Sequence, residues 1–432
     1  MQAAALRLPS SARKRRDEPW QAALQSLEDL LAKGAYLHAR SFDQVLGHLG
    51  RCSQWQLLLT LLSVLPTWRP TPDLLSYSHA ISAAEKAGQW RVALQLHSEV
   101  LAGDLQPDVV SFSSCISALA RGGQWEKALQ LLWEMPSAGI EANVVSFNAA
   151  ITACEKGNRW QGALQLLEDL LRLRVEPTCI TCNAILSACE KAGLWEDALH
   201  LFSHLPAMTV QADTVSYNAS ISACARTGQW PLALHFLSGM SVASIAGTVV
   251  SVNAGISACE KAGQWQMALH LLDRMPLAQL LPDLISCNAS LSACEKARQW
   301  EQALHLLMVG MAGHRVASDV VTWNAVIRAS AGGGRWLLAV GLLSGVQFAT
   351  VQADVITFGA CIACCAEDGH WQMAVQLLTE MPAARVAANA ISFNSCISAC
   401  EKAARWQEAL LLLSDMPKAA LQADSISFSD TF

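Results

Sequence analysis

Three kinds of polar side chain recur together at fixed spacing along this chain. The first slot of each set is Ser78, Ser113, Asn148, Asn183, Asn218, Asn253, Asn288, Asn324, Gly359 and Asn394. Four residues later comes mostly serine, as at Ser187 and Ser257. Four later again stands a cation: Arg51, Lys86, Arg121, Lys156, Lys191, Arg226, Lys261, Lys296 or Lys402, with Gly332 and Glu367 breaking the run. Residues four apart share one side of a helix, so each set is an edge bearing an amide or hydroxyl, a hydroxyl and a positive charge. Cations spaced along a groove can follow a phosphate backbone. Amides and hydroxyls can donate to and accept from base edges. Three residues before the first slot lie Val110, Val145, Ile180, Val215, Val250, Ile285, Val321 and Ile391. They stand at a helix entrance, where they could pack on flat base faces. The plainer reading is that Ser and Asn cap helices and lysine solvates the surface beside glutamate. One polar edge repeated along an otherwise acidic chain favours a groove with a task.

Other chemistry finds little support. Cys179 and Cys182 form C-x-x-C, and Cys361, Cys364 and Cys365 cluster, which would suit zinc or redox work. Yet all fifteen cysteines fit repeating slots, ten of them at two apolar positions; there cysteine acts as a small buried hydrophobe. His200, His235, His270 and His305 stand 35 residues apart, a column expected to face solvent or the groove between hairpins rather than a metal. Phosphate-loop, zinc-protease and nucleophile-elbow motifs are absent. No carboxylate cluster suggests a nuclease metal centre. No catalytic residue, metal or cofactor is expected.

The elements that position the polar edge are set by a tryptophan ruler. Trp20, Trp55, Trp90, Trp125, Trp160, Trp195, Trp230, Trp265, Trp300, Trp336, Trp371 and Trp406 are 35 residues apart, except for a 36-residue interval between Trp300 and Trp336. Alanine follows three residues after nearly every one, and Ile or Leu precedes each complete repeat's tryptophan by nine. In one unit Val252, Ile256 and Cys259 share a helix face, Gly263 suits a left-handed cap, and Ala268, Leu269, Leu272 and Met275 make a second apolar face before Pro276 blocks continuation. The short turn makes the two helices antiparallel. One hairpin cannot bury its own apolar face, but stacked hairpins bury each other. The expected fold is all-α: an α-solenoid, or superhelix, of tandem 35-residue helix-turn-helix repeats.

Composition agrees. A chain of 432 residues, 52% apolar and 15% charged, is not disordered, and a net charge of −6 excludes a generally basic nucleic-acid binder. An odd number of cysteines behind no leader peptide points to reduced thiols inside the cell. No Asp, Glu, Lys or Arg falls between Arg226 and Glu260, but Pro231, His235 and Asn253 lie there and the repeat register holds, so no membrane span is expected. Residues 1–16 carry Arg7, Arg13, Lys14, Arg15 and Arg16 and no acid, as a targeting segment or a solvated tail would. Residues 17–38 read as a worn half-repeat, 39–424 as eleven tandem repeats, and 425–432 as the start of an incomplete one, as a truncated chain would show.

The unit opening Val144-Val145-Ser146-Phe147-Asn148 and closing on Pro282-Asp283 or its equivalents resembles the pentatricopeptide repeat over about residues 39–429. Tryptophan at the start of the second helix departs from that family, which usually has a smaller residue there. The resemblance implies a solenoid reading single-stranded RNA one base per repeat. The first polar slot and the unit's last residue would specify the base. Asn183 with Asp213, Asn253 with Asp283, Asn288 with Asp319, Asn324 with Asp354, and Asn394 with Asp424 resemble a uridine pair. Ser78 with Asp108 resembles a guanine pair and Ser113 with Asn143 an adenine pair. Asn148 with Thr178 and Asn218 with Thr248 suggest a loosely read pyrimidine. Gly359 with Asn389 and Asp43 with Asp73 fit no pair. Lys86, Arg121, Lys156, Lys191, Arg226, Lys261, Lys296 and Lys402 would follow the RNA backbone. The implied strand is G-A and then pyrimidine-rich, mostly U, with the residue inserted before Val320 shifting the register there. The resemblance further implies a non-enzyme of organelle RNA metabolism, plastid or mitochondrial, joined by recruited RNA-processing proteins and binding neither duplex DNA nor membrane; nucleus and cytoplasm stay open. The rival from another class is a protein-interaction scaffold, the usual work of helical solenoids.

Overall fold

The structure, a computed structural model, describes residues 55–64, 73–103, 105–348 and 351–417, with Gly47 and Leu49. The basic segment 1–16, the half-repeat 17–38, the partial unit 425–432, and Asp43, Arg51 and Asp424 lie outside the described residues. Among the described residues all regular elements are helical. The chain divides into two units, Met1–Ala212 and Asp213–Phe432.

The first unit holds α1 (Trp55–Val64), α2 (Leu74–Lys86), α3 (Trp90–Ala102), α4 (Val109–Arg121), α5 (Trp125–Glu134), α6 (Val144–Lys156), α7 (Trp160–Arg172), α8 (Cys179–Ala192) and α9 (Trp195–His204). The second holds α10 (Thr214–Thr227), α11 (Trp230–Val242), α12 (Val249–Lys261), α13 (Trp265–Arg274), α14 (Leu284–Lys296), α15 (Trp300–His305), α16 (Met311–His314), α17 (Val320–Gly332), α18 (Trp336–Phe348), α19 (Val355–Glu367), α20 (Trp371–Glu380), α21 (Ala390–Lys402) and α22 (Trp406–Asp415). Within each unit the first helix of a hairpin packs on the first helix of the next, as α4 does on α6 and α12 on α14. Inside a unit a second helix reaches its own first helix and the following one, as α5 reaches α4 and α6 and α13 reaches α12 and α14. Each unit is therefore an α-solenoid, and its first helices form the more closely packed layer.

Local chemistry explains each hairpin. The residue that closes a unit is the N-cap of the next first helix: Asp108, Asn143, Thr178, Thr248, Asp283, Asp319 and Asp354 each accept from the backbone N–H three residues on. A cap of this kind is worth about 1 kcal/mol. The first helix ends two residues before the tryptophan in a left-handed residue, glycine at Gly88, Gly123, Gly193 and Gly263. Asn158, Arg298 and Ala404 hold the same conformation with a side chain. Proline then closes several second helices, at Pro136, Pro206 and Pro276, each in a 3-10 turn. The core is the expected one. Ile116, Ile151, Leu186, Ile256, Leu291 and Ile327 are fully buried, as are Ala128, Ala163 and Ala268. Here alanine lets two helices approach closely.

The 36-residue interval has a local explanation. Leu306–Gly310, between α15 and α16, is a π-helical segment. A π-turn holds one residue more than an α-turn, so the extra residue is taken up inside the second helix of that hairpin. The side-chain pairing is kept across this interval: Asp319 still caps α17 and still meets Asn288 across the stack, at 3.3 Å.

Candidate nucleic-acid interface

The two residues of each proposed base-reading pair are brought together in several hairpins. Asn253 Nδ2 donates to Asp283 Oδ1 at 3.1 Å and to Oδ2 at 3.3 Å. Asn324 Nδ2 donates to Asp354 at 3.2 Å, and Asn148 Nδ2 to the Thr178 hydroxyl at 3.1 Å. The third partner was not foreseen. The Ser or Thr three residues into the next first helix donates its hydroxyl to the asparagine carbonyl: Ser286 to Asn253 at 2.6 Å, Thr322 to Asn288 at 2.8 Å, Thr357 to Asn324 at 2.6 Å. Thr181 does so to Asn148, and Ser251 to Asn218. The asparagine thus bridges two hairpins, one end fixed by a donor and the other by an acceptor. Its slot does not cap its own helix; the residue that ends the unit does.

The remaining pairs differ. Ser78 and Ser113 are nearly buried and donate to their own helix, to Leu74 O at 2.9 Å and Val110 O at 3.1 Å. Asp108 and Asn143 serve as caps beside them. Asn183 lies half-buried with Nδ2 3.6 Å from Cys179 Sγ; it belongs to the first unit and Asp213 to the second. Thr248 caps α12, and Asn394 lies half-buried on α21.

Desolvation pushes the Asp283, Asp319 and Asp354 carboxyls up. Hydrogen bonds from Ser286, Thr322 and Thr357, and from the paired asparagines, outweigh it and leave all three below the ordinary aspartate value. These carboxylates are ionised at neutral pH and can only accept.

Beside each pair stands an exposed aliphatic side chain at the second position of the first helix. Val110, Val145, Ile180, Val215, Val250, Ile285, Val321 and Ile391 are 55–70% exposed. Leu75 and Ile356 occupy the same slot at 53% and 56%. Both follow from the 35-residue spacing, three residues before Ser78 and Gly359.

The cations are held by a ladder that the sequence reading did not resolve. A glutamate five residues before the tryptophan accepts from the serine and the cation of the following first helix. Glu155 takes Ser187 at 2.8 Å and Lys191 at 2.9 Å. Glu260 takes Ser292 at 2.9 Å and Lys296 at 3.0 Å, and Glu85 takes Ser117 at 2.7 Å and Arg121 at 3.6 Å. Lys261 instead donates to Arg226 O at 3.2 Å. Among the described residues Lys156, Lys261 and Lys402 hold no ion pair, and Lys86, Arg226 and Lys402 lie exposed at their helix ends. Where Gly332 removes the cation, Arg328 stands in the serine slot one turn earlier and meets Glu295 at 3.1 Å. Burial pushes the Glu295 carboxyl up against the pull of Arg328 and Lys296.

The tryptophans form a second ladder at the hairpin turns. Arg159 lies over Trp125 at 4.6 Å, Arg335 over Trp300 at 5.1 Å and Arg405 over Trp371 at 4.7 Å, each cation one residue before the next tryptophan. A Cβ built on Gly122 or Gly157 would fall 2.4 Å from Trp90 or Trp125. Tryptophan therefore seals one hairpin turn against the next, beside the cation end of the first helix.

The cysteines behave as packing residues. Burial pushes the Cys115 thiol up to about 12 and Cys154, Cys182, Cys259 and Cys294 to about 11, so they are protonated at neutral pH. Cys361 and Cys396 are pushed higher still. His200, His235, His270 and His305 are exposed. Among the described residues no group of three His, Cys, Asp or Glu could hold a metal ion, and no helix is long and apolar enough to cross a membrane.

Comparison with known families gives repeated matches. The PPR repeat model matches residues 145–175, 180–208, 215–245, 250–279 and 391–419. A second PPR repeat family model matches 107–154, and the pentatricopeptide repeat domain matches 342–403. Together they span more than half of the chain, which belongs to the pentatricopeptide repeat family. Among solved structures, the pentatricopeptide repeat protein PPR10 from maize aligns at 19% identity and a TM-score of 0.52, covering 96% of this chain and 69% of that one. PPR10 in complex with an 18-nt psaJ RNA element aligns at 22% identity and a TM-score of 0.49, covering 95% and 64%. The first likeness is one of fold. No curated protein sequence matches the chain.

Proposed function

We propose that this protein binds single-stranded RNA sequence-selectively, one base per hairpin, and performs no chemistry of its own. The observation that carries the reading is the Asn–Asp pair, held by hydrogen bonds at the same place in successive hairpins with an exposed aliphatic side chain beside it. An ionised carboxylate accepts and cannot donate. It favours the N3–H of uracil over the bare N3 of cytosine, while the asparagine amide can donate to a uracil carbonyl. Threonine in place of aspartate, as at Thr178 and Thr248, both donates and accepts, which suits either pyrimidine. Serine in place of asparagine, at Ser78 and Ser113, is shorter and leaves room for a purine. The expected strand is 5′-GAYUYUUUXU-3′, where Y is a pyrimidine and X stands opposite Gly359 and Asn389.

Bases would lie between successive aliphatic side chains, while the cations of the first helices follow the phosphates. An occupied strand is shielded from nucleases and from competing RNA structures. Family membership supports a role in organelle RNA metabolism through processing, stability, splicing, editing or translation, with enzymes recruited as partners. Selection from random single-stranded RNA tests the reading. The enriched strand begins G-A and is U-rich, and Asn253→Ser shifts preference toward G at one internal base. A protein scaffold would enrich nothing.

A further inference from the structure

One hairpin lacks every element of the polar edge at once. In α19 the three slots hold Gly359, Ala363 and Glu367, where α12 holds Asn253, Ser257 and Lys261. The losses are physical as well as compositional. A Cβ on Gly359 would meet nothing within 4 Å, so the place of the asparagine is open space. The donor that elsewhere reaches both that asparagine and its own cap keeps the cap alone: the Ser392 hydroxyl donates to Asn389 at 2.9 Å, as Ser286 does to Asp283 at 2.7 Å. The cation is replaced by an exposed carboxylate, with Asp368 exposed beside it. The preceding hairpin is different, because Arg328 restores a positive charge one turn nearer the base-reading slot. The exposed aliphatic slot survives in α19 as Ile356, and Ile391 follows in α21.

Resting on the RNA-binding reading, we infer that α19 is a built-in gap in recognition. The nucleotide opposite it packs between Ile356 and Ile391, its base goes unread, and its phosphate is left unheld beside Glu367. The strand this protein selects is therefore interrupted by one indifferent position, with specific reading on both sides. The gap conserves spacing, since stacking carries the strand across it, and admits targets that differ at that single base.

The test uses the full chain and four single-stranded RNAs, 5′-GAYUYUUUXU-3′ with X as A, C, G or U. Wild type is expected to bind all four within about twofold, whereas changing the U just before X to A costs about tenfold or more. Gly359→Asn, which space permits, is expected to separate pyrimidine from purine at X by about tenfold. Glu367→Lys should tighten all four and steepen the salt dependence by about one phosphate contact. Thermal melts confirm that both variants are folded. Discrimination at X by wild type as strong as at the neighbouring U overturns the gap and leaves the RNA reading standing. Four equal affinities with Gly359→Asn overturn it as well. Equal binding of the complementary strand would sink the RNA reading itself.

Discussion

Asn148, Asn253, Asn288 and Asn324 each have both ends of the amide engaged between hairpins. Asn324 is nearly buried, with Thr357 on its carbonyl and Asp354 on its nitrogen. Removing it takes one partner from each, while Thr357 and Asp354 stay bonded to one another, so Asn324→Ala is expected to cost about 1 kcal/mol in urea unfolding besides losing selectivity at one base. The sequence showed which residues stand in register. It could not show that the Ser or Thr of the next helix would complete the triad, because that partner lies 33 residues away and looks like an ordinary capping-box residue. His97 tells a different story. It occupies a slot where other second helices hold leucine, at Leu132, Leu167 and Leu272, and neither ring nitrogen has a partner. Burial lowers its pKa, against the pull of Glu134. The fold therefore favours neutral His97, while the unfolded chain takes up a proton near pH 6.5. Its contribution is complete above that pH and is lost as pH falls through 6.5 toward the lower folded value. His97→Leu should raise stability by about 1 kcal/mol at neutral pH and flatten this part of the stability–pH curve; a steeper curve in the variant would contradict the assignment.

At the scale of elements, the tryptophan ruler made the hairpins readable. Proline at Pro276 and glycine at Gly263 marked the ends they were expected to mark. What the sequence hid was how irregular repeats keep the same shape. Ala404 takes the left-handed conformation with a side chain, so Ala404→Gly should stabilise by about 1 kcal/mol, read from the melting temperature. At Gly122 the neighbouring Trp90 leaves no room for a Cβ, so Gly122→Ala should destabilise by about 1–3 kcal/mol. The added residue between Trp300 and Asp319 was visible as a number and invisible as a structure. A break in the polar edge and a bulge in a second helix give the same count, and the π segment at Leu306–Gly310 decides for the bulge. Deleting the exposed Val309 should therefore leave a folded protein with an unchanged base preference at the Asn288–Asp319 pair. A shift of one base in the selected strand would show that the insertion sets the register after all.

Over the whole molecule, a chain of net charge −6 is asked to bind a polyanion. Its cations must therefore act locally, and the structure adds that Lys191 and Lys296 are shared with Glu155 and Glu260. Exposed pairs of this sort are worth little on their own, so phosphates can compete for them. Replacing Lys191, Lys261 and Lys296 together by Gln should weaken binding to every RNA alike and reduce the salt slope by about 2. The fold class and the polar edge could be read from spacing alone, since a repeat multiplies every weak signal. The glutamate ladder could not, because it joins residues of different units of the repeat. The most direct measurement is equilibrium binding of 5′-GAYUYUUUXU-3′ RNA, its complement, and the duplex of the two, at several salt concentrations. The account predicts that the first strand binds at least about tenfold more tightly than the other two, with affinity falling as salt rises. Equal affinity for all three, or none for any, would contradict it.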